Sequence, residues 1–413
     1  DHGEGLNEHG EPTHSYFVYN TTMRVPLIIW APDRLQGGKR VSALARTIDI
    51  LPTALDLLEI DSPDNLDGSS LIPLIEGEEK PDTRAAYGEA TRFAATFNLP
   101  TLRYLRRGDW KYIHKTNPEL YDLGEDPDET INLVAEYPDR VSAMREELSS
   151  LLATQSSASI SAQAEIDAQI AAELIALGYV AHAPRMEIEA GESPLDLYGA
   201  DPNSLVESAE AVAIAQGYLR RDLAQQALDL LESIRDQAPN SIHLLGLIGR
   251  ALRDLDRTSE ALEAYSAVLS LEPCEYKRRS EMSVLLREKG LTKAFLELLN
   301  DGVQACPLDN ANQNDLAWAL STLPEEEFRD GPRAVAIMER VLLAGSDEPQ
   351  PAYLDTLSAA LAESGDFRRA AAVSRESLRL LKASPHVPPA VIEQVQGHLA
   401  NYQEGRPIRD HAN

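Results

Sequence analysis

Along the first 150 residues short apolar runs alternate with stretches of helical spacing, the pattern of mixed α/β structure. Arg24-Val25-Pro26-Leu27-Ile28-Ile29-Trp30 reads as a strand, because a continuous apolar run suits a strand buried on both faces of a sheet. Leu44, Ile48, Leu51, Leu55 and Leu58 fall at helical spacing and predict a helix over 44–58 that covers a sheet face, with Pro52 inside it. Residues 101–105 and 110–113 flank Arg106-Arg107-Gly108-Asp109, a hairpin signal, since Gly and Asp accept positive φ. Trp110 and Tyr112 read as core aromatics of that hairpin. A further strand follows at 120–123, and an amphipathic helix over 138–152 closes the unit.

After position 152 the pattern changes. Residues 156–161 are small and polar, 162–177 predict an Ala-rich helix ending at Gly178, and 181–202 carry scattered Pro, Gly and acids without a period. Residues 153–202 therefore read as a connecting helix and linker.

From 203 to about 400 the apolar positions repeat. Pro239, Pro273 and Pro307 recur at a constant step of about 34 residues, as do Ala227 and Ala261, with Ala294 one short of the next step. A helix–turn–helix of about 34 residues, with a small residue in its second helix and Pro at its end, is the tetratricopeptide signature. The alanine lets two helices approach, and the proline ends the helix because it has no N–H to donate. About five such units are expected, one beginning at Asn314 with an insertion around 323–333, and a last one over 353–378 with Gly365 in its turn and Ala370 after it. Each buries a face that it cannot bury alone. Tyr218, Tyr265 and Trp318 read as packing residues between helices, and 401–413 as a tail.

Composition narrows the function classes. A net charge of −29 over 413 residues repels nucleic acid, so no nucleic-acid partner is expected, and it favours a basic protein partner on the concave face of the repeats. No apolar run approaches the ~20 residues that a membrane-spanning helix requires. Cys274 and Cys306, each beside a proline, do not make a disulfide framework and are expected as buried or half-buried free thiols, with a bridge between them as the alternative.

The candidate chemistry lies at the start, in Asp1-His2-Gly3-Glu4-Gly5-Leu6-Asn7-Glu8-His9-Gly10. A carboxylate beside an imidazole, with glycines that bend the backbone tightly, is a pair of ligands suited to a divalent cation. Glu4, Glu8 and Glu11 read as a solvated acidic loop, and His9 as structural.

In full, DHGEGLNEHGEPTHSYFVYNTTMRVPLIIW resembles the late metal-binding segment of the sulfatases, within the alkaline phosphatase superfamily. RTIDILPTALDLLEI, LDGSSLIPLIEG and WKYIHKTNPELYDLGEDPDETINL follow in that family's order and extend the resemblance over roughly residues 1–150. It implies an α/β sulfatase-like partial domain over 1–152, with an incomplete central sheet plus a small antiparallel C-terminal subdomain, followed by an all-α tetratricopeptide solenoid. The family's nucleophile lies far upstream of this segment. The chain is thus expected to be part of a longer protein, to carry half an active site and to be inactive alone.

The resemblance assigns Asp1 and His2 to a divalent ion, calcium first, although an imidazole ligand suits Mn²⁺ or Zn²⁺ better. His14 stands where many sulfatases place a Lys on the sulfate. It is the expected catalytic and substrate-binding residue, or a second-metal ligand as in phospho-transferring relatives. Arg92 is a weaker substrate contact. The expected substrate is a sulfate ester, with a phosphate ester (phosphodiesterase, phosphatase or phosphotransferase) as the alternative, and periplasmic or extracellular placement follows from the family. A third reading is a tetratricopeptide binding protein with a vestigial enzyme half.

Overall fold

The computed structural model describes residues 2–78, 84–156, 195–344, 349–384 and 387–410. The helix expected over 162–177, and the linker before 195, lie outside the described residues. The chain divides into two compact units, Asp1–Gly217 with Leu230–Leu244, and Tyr218–Asp229 with Leu245–Asn413.

In the first unit β1 (Ala85–Ala90), β2 (Leu102–Arg107), β3 (Trp110–His114) and β4 (Glu119–Asp122) form an antiparallel sheet in sequence order. Around it lie α1 (Asn20–Met23), α2 (Ile50–Leu57), α3 (Ile72–Glu76), α4 (Arg92–Phe97) and α5 (Pro138–Ser156). The hairpin signal at Gly108-Asp109 is realised between β2 and β3, with Gly108 at φ 58° and Arg107 paired with Trp110. Leu105, Tyr112 and Leu120 stand opposite one another on one face. Met144, Leu148 and Leu152 of α5 cover them, at the i, i+4, i+8 spacing of a helix stripe. Trp110 is only half-buried, beneath the Arg140 guanidinium at 4.1 Å.

The opposite face is polar at its centre. Lys111 and Glu129 are 1% and 2% exposed, and their Nζ and Oε1 atoms lie 2.6 Å apart. Glu129 Oε2 accepts the backbone N–H of Asn20 at 2.6 Å, and Tyr19 donates its hydroxyl to Glu119 at 2.8 Å. These bonds fix the short helix α1 to the sheet. Gly88 is required beneath it, because a Cβ there would lie 2.4 Å from the Tyr104 ring and 2.8 Å from Met23.

Burial lowers the Lys111 amine from 10.5 to about 8, with Glu129 opposing the shift. Between those pH values the unfolded chain holds the proton that the folded chain has released, so rising pH favours the folded state. We expect the stability of the wild type over a Lys111→Met variant to grow from pH 8 towards 10, by up to about 1.4 kcal/mol per unit. Urea titrations at several pH values check this, and a gap that shrinks removes the assignment.

Two expectations for the sheet-covering region fail. Residues 24–30 join no strand ladder; Leu27, Ile28 and Trp30 are 45%, 89% and 86% exposed. A parallel strand is stable only with neighbours on both edges and cover on both faces, and the described residues supply neither, so no central sheet forms among them. The helix expected over 44–58 shortens to a 3₁₀ turn, Thr47–Asp49, and α2. Ile48, Leu51 and Leu58 of its apolar stripe are exposed, whereas Pro52 and Thr53 are buried. Thr53 Oγ1 donates to the Asp49 carbonyl and accepts the Leu71 N–H, and Arg46 and Arg84 both pair with the buried Asp49. Polar bonds, not the apolar stripe, orient this helix.

The remaining helices follow one another in consecutive pairs along the chain. They are α6 (Val206–Leu219) with α7 (Ala224–Ser233), α8 (Ile242–Asp254) with α9 (Thr258–Leu271), α10 (Tyr276–Glu288) with α11 (Thr292–Ala305), α12 (Asn310–Thr322) with α13 (Gly331–Ala344), and α14 (Pro351–Glu363) with α15 (Phe367–Ala383). A last helix, α16 (Pro389–Gln403), follows. The turn residue Gly365 has φ 84°, and Ala227, Ala261, Ala334 and Ala370 are fully buried at the close approaches. Ala294 is exposed, and Phe295, one full period after Ala261, takes the buried place instead. Tyr265 is fully buried and packs onto Gly249, where a Cβ would lie 2.6 Å from its ring. Tyr218 and Trp318 are half-buried.

Cys274 and Cys306 are not free thiols. They form a disulfide with their Cα atoms 5.7 Å apart. Stacked repeats would set equivalent positions a helix spacing apart, about 8–10 Å. The two cysteines are separated by 32 positions, slightly less than one period, so each is offset along its repeat towards the other.

Candidate metal centre

The first metal residue expected from the sequence, Asp1, lies outside the described residues. His2 and His14 do come together, with ring centroids 4.3 Å apart. Glu4 joins them. One ligand atom from each of His2, Glu4 and His14 lies within 4.8 Å of the other two, on an exposed surface.

Backbone hydrogen bonds hold the three in place. Gly3 N–H donates to the Thr22 carbonyl at 2.7 Å, and Gly5 N–H to the Thr13 carbonyl at 2.5 Å. Both glycines are needed, because a Cβ on Gly3 would lie 2.1 Å from Thr21 O, and one on Gly5 2.6 Å from Glu11 O. A connected path therefore runs from the sheet through Lys111, Glu129, Asn20 and Thr22 to the loop that carries His2 and Glu4.

The ring nitrogens have defined roles. His2 Nδ1 lies 2.7 Å from the Gly3 carbonyl, which only accepts, so Nδ1 carries the proton. His14 Nδ1 lies 3.0 Å from Glu4 Oε2 and donates to that carboxylate. In the neutral rings Nε2 then holds the lone pair, the tautomer that a metal-binding or proton-accepting imidazole requires.

The other acids and histidines divide between surface and core. Glu11 is fully buried, contrary to the solvated loop expected of it. Its Oε1 accepts the N–H groups of Tyr16 and Phe17 at 2.9 and 3.1 Å, while burial pushes its carboxyl upward. Glu8 stays exposed and accepts the Leu6 N–H. His9, at φ 54°, stacks on Tyr19 with centroids 3.8 Å apart, which is a structural contact. Arg92 lies 4.4 Å above the ring of Tyr16, close along the chain to His14. Glu4 was legible only as part of an acidic run. The signal for it was its alternation with His2 across Gly3, which sets both side chains on one side of an extended turn.

Residues 8–157 match the family described as N-sulphoglucosamine sulphohydrolase, C-terminal. Arylsulfatase K of Bos taurus is 32% identical over 161 residues, which cover 37% of this chain and 29% of that protein. The N-acetylglucosamine-6-O-sulfatase of Bacteroides thetaiotaomicron is 34% identical over 146 residues, 33% of this chain and 26% of that one. The chain thus spans under a third of the length of these relatives. MamA 41-end from Desulfovibrio magneticus RS-1 is a structural neighbour at TM-score 0.35 and 21% identity, covering 44% of this chain and 98% of that one. At that level the likeness adds nothing to the repeat assignment, which stands on the constant sequence period and the paired helices. Residues 8–157 are a C-terminal domain of the sulfatase type, and tetratricopeptide-like hairpins follow it in the same chain.

Proposed function

We propose that this chain is part of a divalent-metal-dependent hydrolase of sulfate esters, joined to a repeat scaffold for protein interaction. The observation that carries the reading is the convergence of His2, Glu4 and His14 on one tight loop, beside a stretch of sulfatase type. His2 and Glu4, with Asp1 before them in sequence, are the residues that hold the ion. Two imidazoles beside one carboxylate shift the preference from Ca²⁺, the family expectation, towards Mn²⁺ or Zn²⁺. A bound divalent ion supplies positive charge for the ester oxygen and lowers the pKa of a hydroxyl nucleophile. Glu4 orients His14 through Nδ1, so that Nε2 faces an ester oxygen and, when protonated, donates to it. The imidazole of His14 also keeps the phosphate-ester reading open, since as a second metal ligand it fits phosphoryl transfer. The disulfide fits an oxidising compartment, periplasmic or extracellular. No helix among the described residues is long and apolar enough to cross a membrane.

Metal titration of the intact chain, followed by the imidazole resonances of His2 and His14, tests the site. Mn²⁺ should broaden both, and Glu4→Ala or His2→Ala should weaken binding at least about tenfold, the usual cost of losing one ligand or its support. His14→Lys should keep the bound ion if His14 faces substrate, and lose affinity if it is a ligand. Unchanged broadening of the His14 signal in a His2→Ala/Glu4→Ala variant sinks the assignment.

A further inference from the structure

The second unit fills part of its own helix-end surface with its carboxyl-terminal segment. After α16 the chain turns at Gly405 (φ 72°), where the Arg406 N–H closes onto the Asn401 carbonyl, and it continues along the ends of three earlier helices. Ile408 is 8% exposed and belongs to the apolar cluster that holds Leu320, Leu357 and Tyr402. Arg409 Nη1 pairs with Glu363 Oε2, at the last residue of α14, at 2.8 Å. Asp410 makes three contacts. Its N–H donates to the Thr322 carbonyl at the end of α12 at 2.8 Å. Its carboxylate accepts Trp318 Nε1–H at 2.9 Å and pairs with Arg287, in the last turn of α10, at 3.1 Å.

Every polar partner belongs to the first helix of a hairpin, α10, α12 or α14, and together they offer an ordered set of complementary groups. An apolar recess comes first, then a carboxylate, then a guanidinium, an indole N–H and a helix-end carbonyl that has no intrahelical donor. The order matches an extended segment reading apolar–Arg–Asp. Side-chain alternation and one main-chain bond are the means by which extended peptides are read.

We propose that the ends of α10, α12 and α14 form a docking groove for an extended apolar–Arg–Asp segment of a partner protein, and that residues 408–410 occupy it in cis until displaced. The hold is suited to exchange. A single buried anchor, two hydrogen bonds and two partly exposed ion pairs fasten the segment, and exposed pairs contribute little each. Gly405 is the hinge about which it can leave. The groove is independent of the ester chemistry proposed above.

A fluorescein-labelled peptide of residues 404–410 is the probe, titrated against three forms of the full chain: wild type, Ile408→Ala/Asp410→Ala, and a chain ending at Gly405. The peptide should bind the two altered forms at least about tenfold more tightly than wild type, whose groove is filled. Adding Arg287→Ala or Trp318→Phe to either should reverse the gain, and a peptide with Arg and Asp exchanged should not bind. The proposal is overturned if a form with wild-type helical content fails to bind the peptide, or if all three forms bind it equally. It is equally overturned if the wild type is a dimer that becomes monomeric on removal of 406–413, since the occupant is then a second copy. Should the shortened chain not fold, the double variant alone decides.

Discussion

Lys111→Met should destabilise the first unit by about 3–5 kcal/mol, the usual cost of removing one member of a buried ion pair. The substitution keeps the side chain's length but leaves Glu129 as a carboxylate 2% exposed, without its cation. Glu129 also holds the Asn20 N–H, and Thr22, in the same short helix, holds Gly3. The loss should therefore reach the His2–Glu4–His14 loop as well as the sheet. Hydrogen exchange of the β2 and β3 amides reads the first effect, and the Mn²⁺ broadening of His2 reads the second. A Lys111→Met/Glu129→Leu double variant should recover most of the stability, because it removes both charges. If Lys111→Met alone exchanges its sheet amides as slowly as wild type, the pair is not what fastens α1 to the sheet.

Removing the disulfide should have an effect of similar size in the second unit. Cys274→Ser/Cys306→Ser opens a loop closed across 32 positions, and the chain-entropy argument puts the loss at about 3–4 kcal/mol. The bond joins the connection between α9 and α10 to the end of α11, so it staples two successive repeats. Thermal unfolding of the oxidised protein, the reduced protein and the serine double variant checks this. The reduced and substituted forms should melt together, below the oxidised form. Titration of free thiols in the oxidised protein should find none; two reactive thiols in protein purified without reductant, with an unchanged melting point, would falsify the staple.

Features set by local chemistry and short periods are legible in the sequence itself. The β2–β3 hairpin was legible because Gly108 and Asp109 meet a conformational demand that few other residues meet. Helix α5 was legible because one apolar stripe faces one sheet, and the hairpins of the second unit because Ala227, Ala261 and the spaced prolines mark close approach and chain reversal. His2 was legible as candidate chemistry from the carboxylate–imidazole–glycine turn, and His14 only through the resemblance to the sulfatases.

Other features depend on which groups end up together in space. Residues 24–30 have the composition of a buried strand, but a strand exists only through its neighbours, and Ile28 and Trp30 stand in solvent. Ile48 and Leu51 have helical spacing, yet bonds to Asp49 and Thr53 turn that face outward. Glu11, expected in a solvated loop, is buried, as are Lys111 and Glu129, each because a partner far along the chain, or a pair of backbone N–H groups, offsets the loss of water. Glu4 joined the histidines only when Gly3 and Gly5 were pinned to Thr22 and Thr13. The disulfide, and the fit of residues 408–410 to three helix ends, likewise depend on how repeats stack, a geometry that spacing along the chain constrains without fixing.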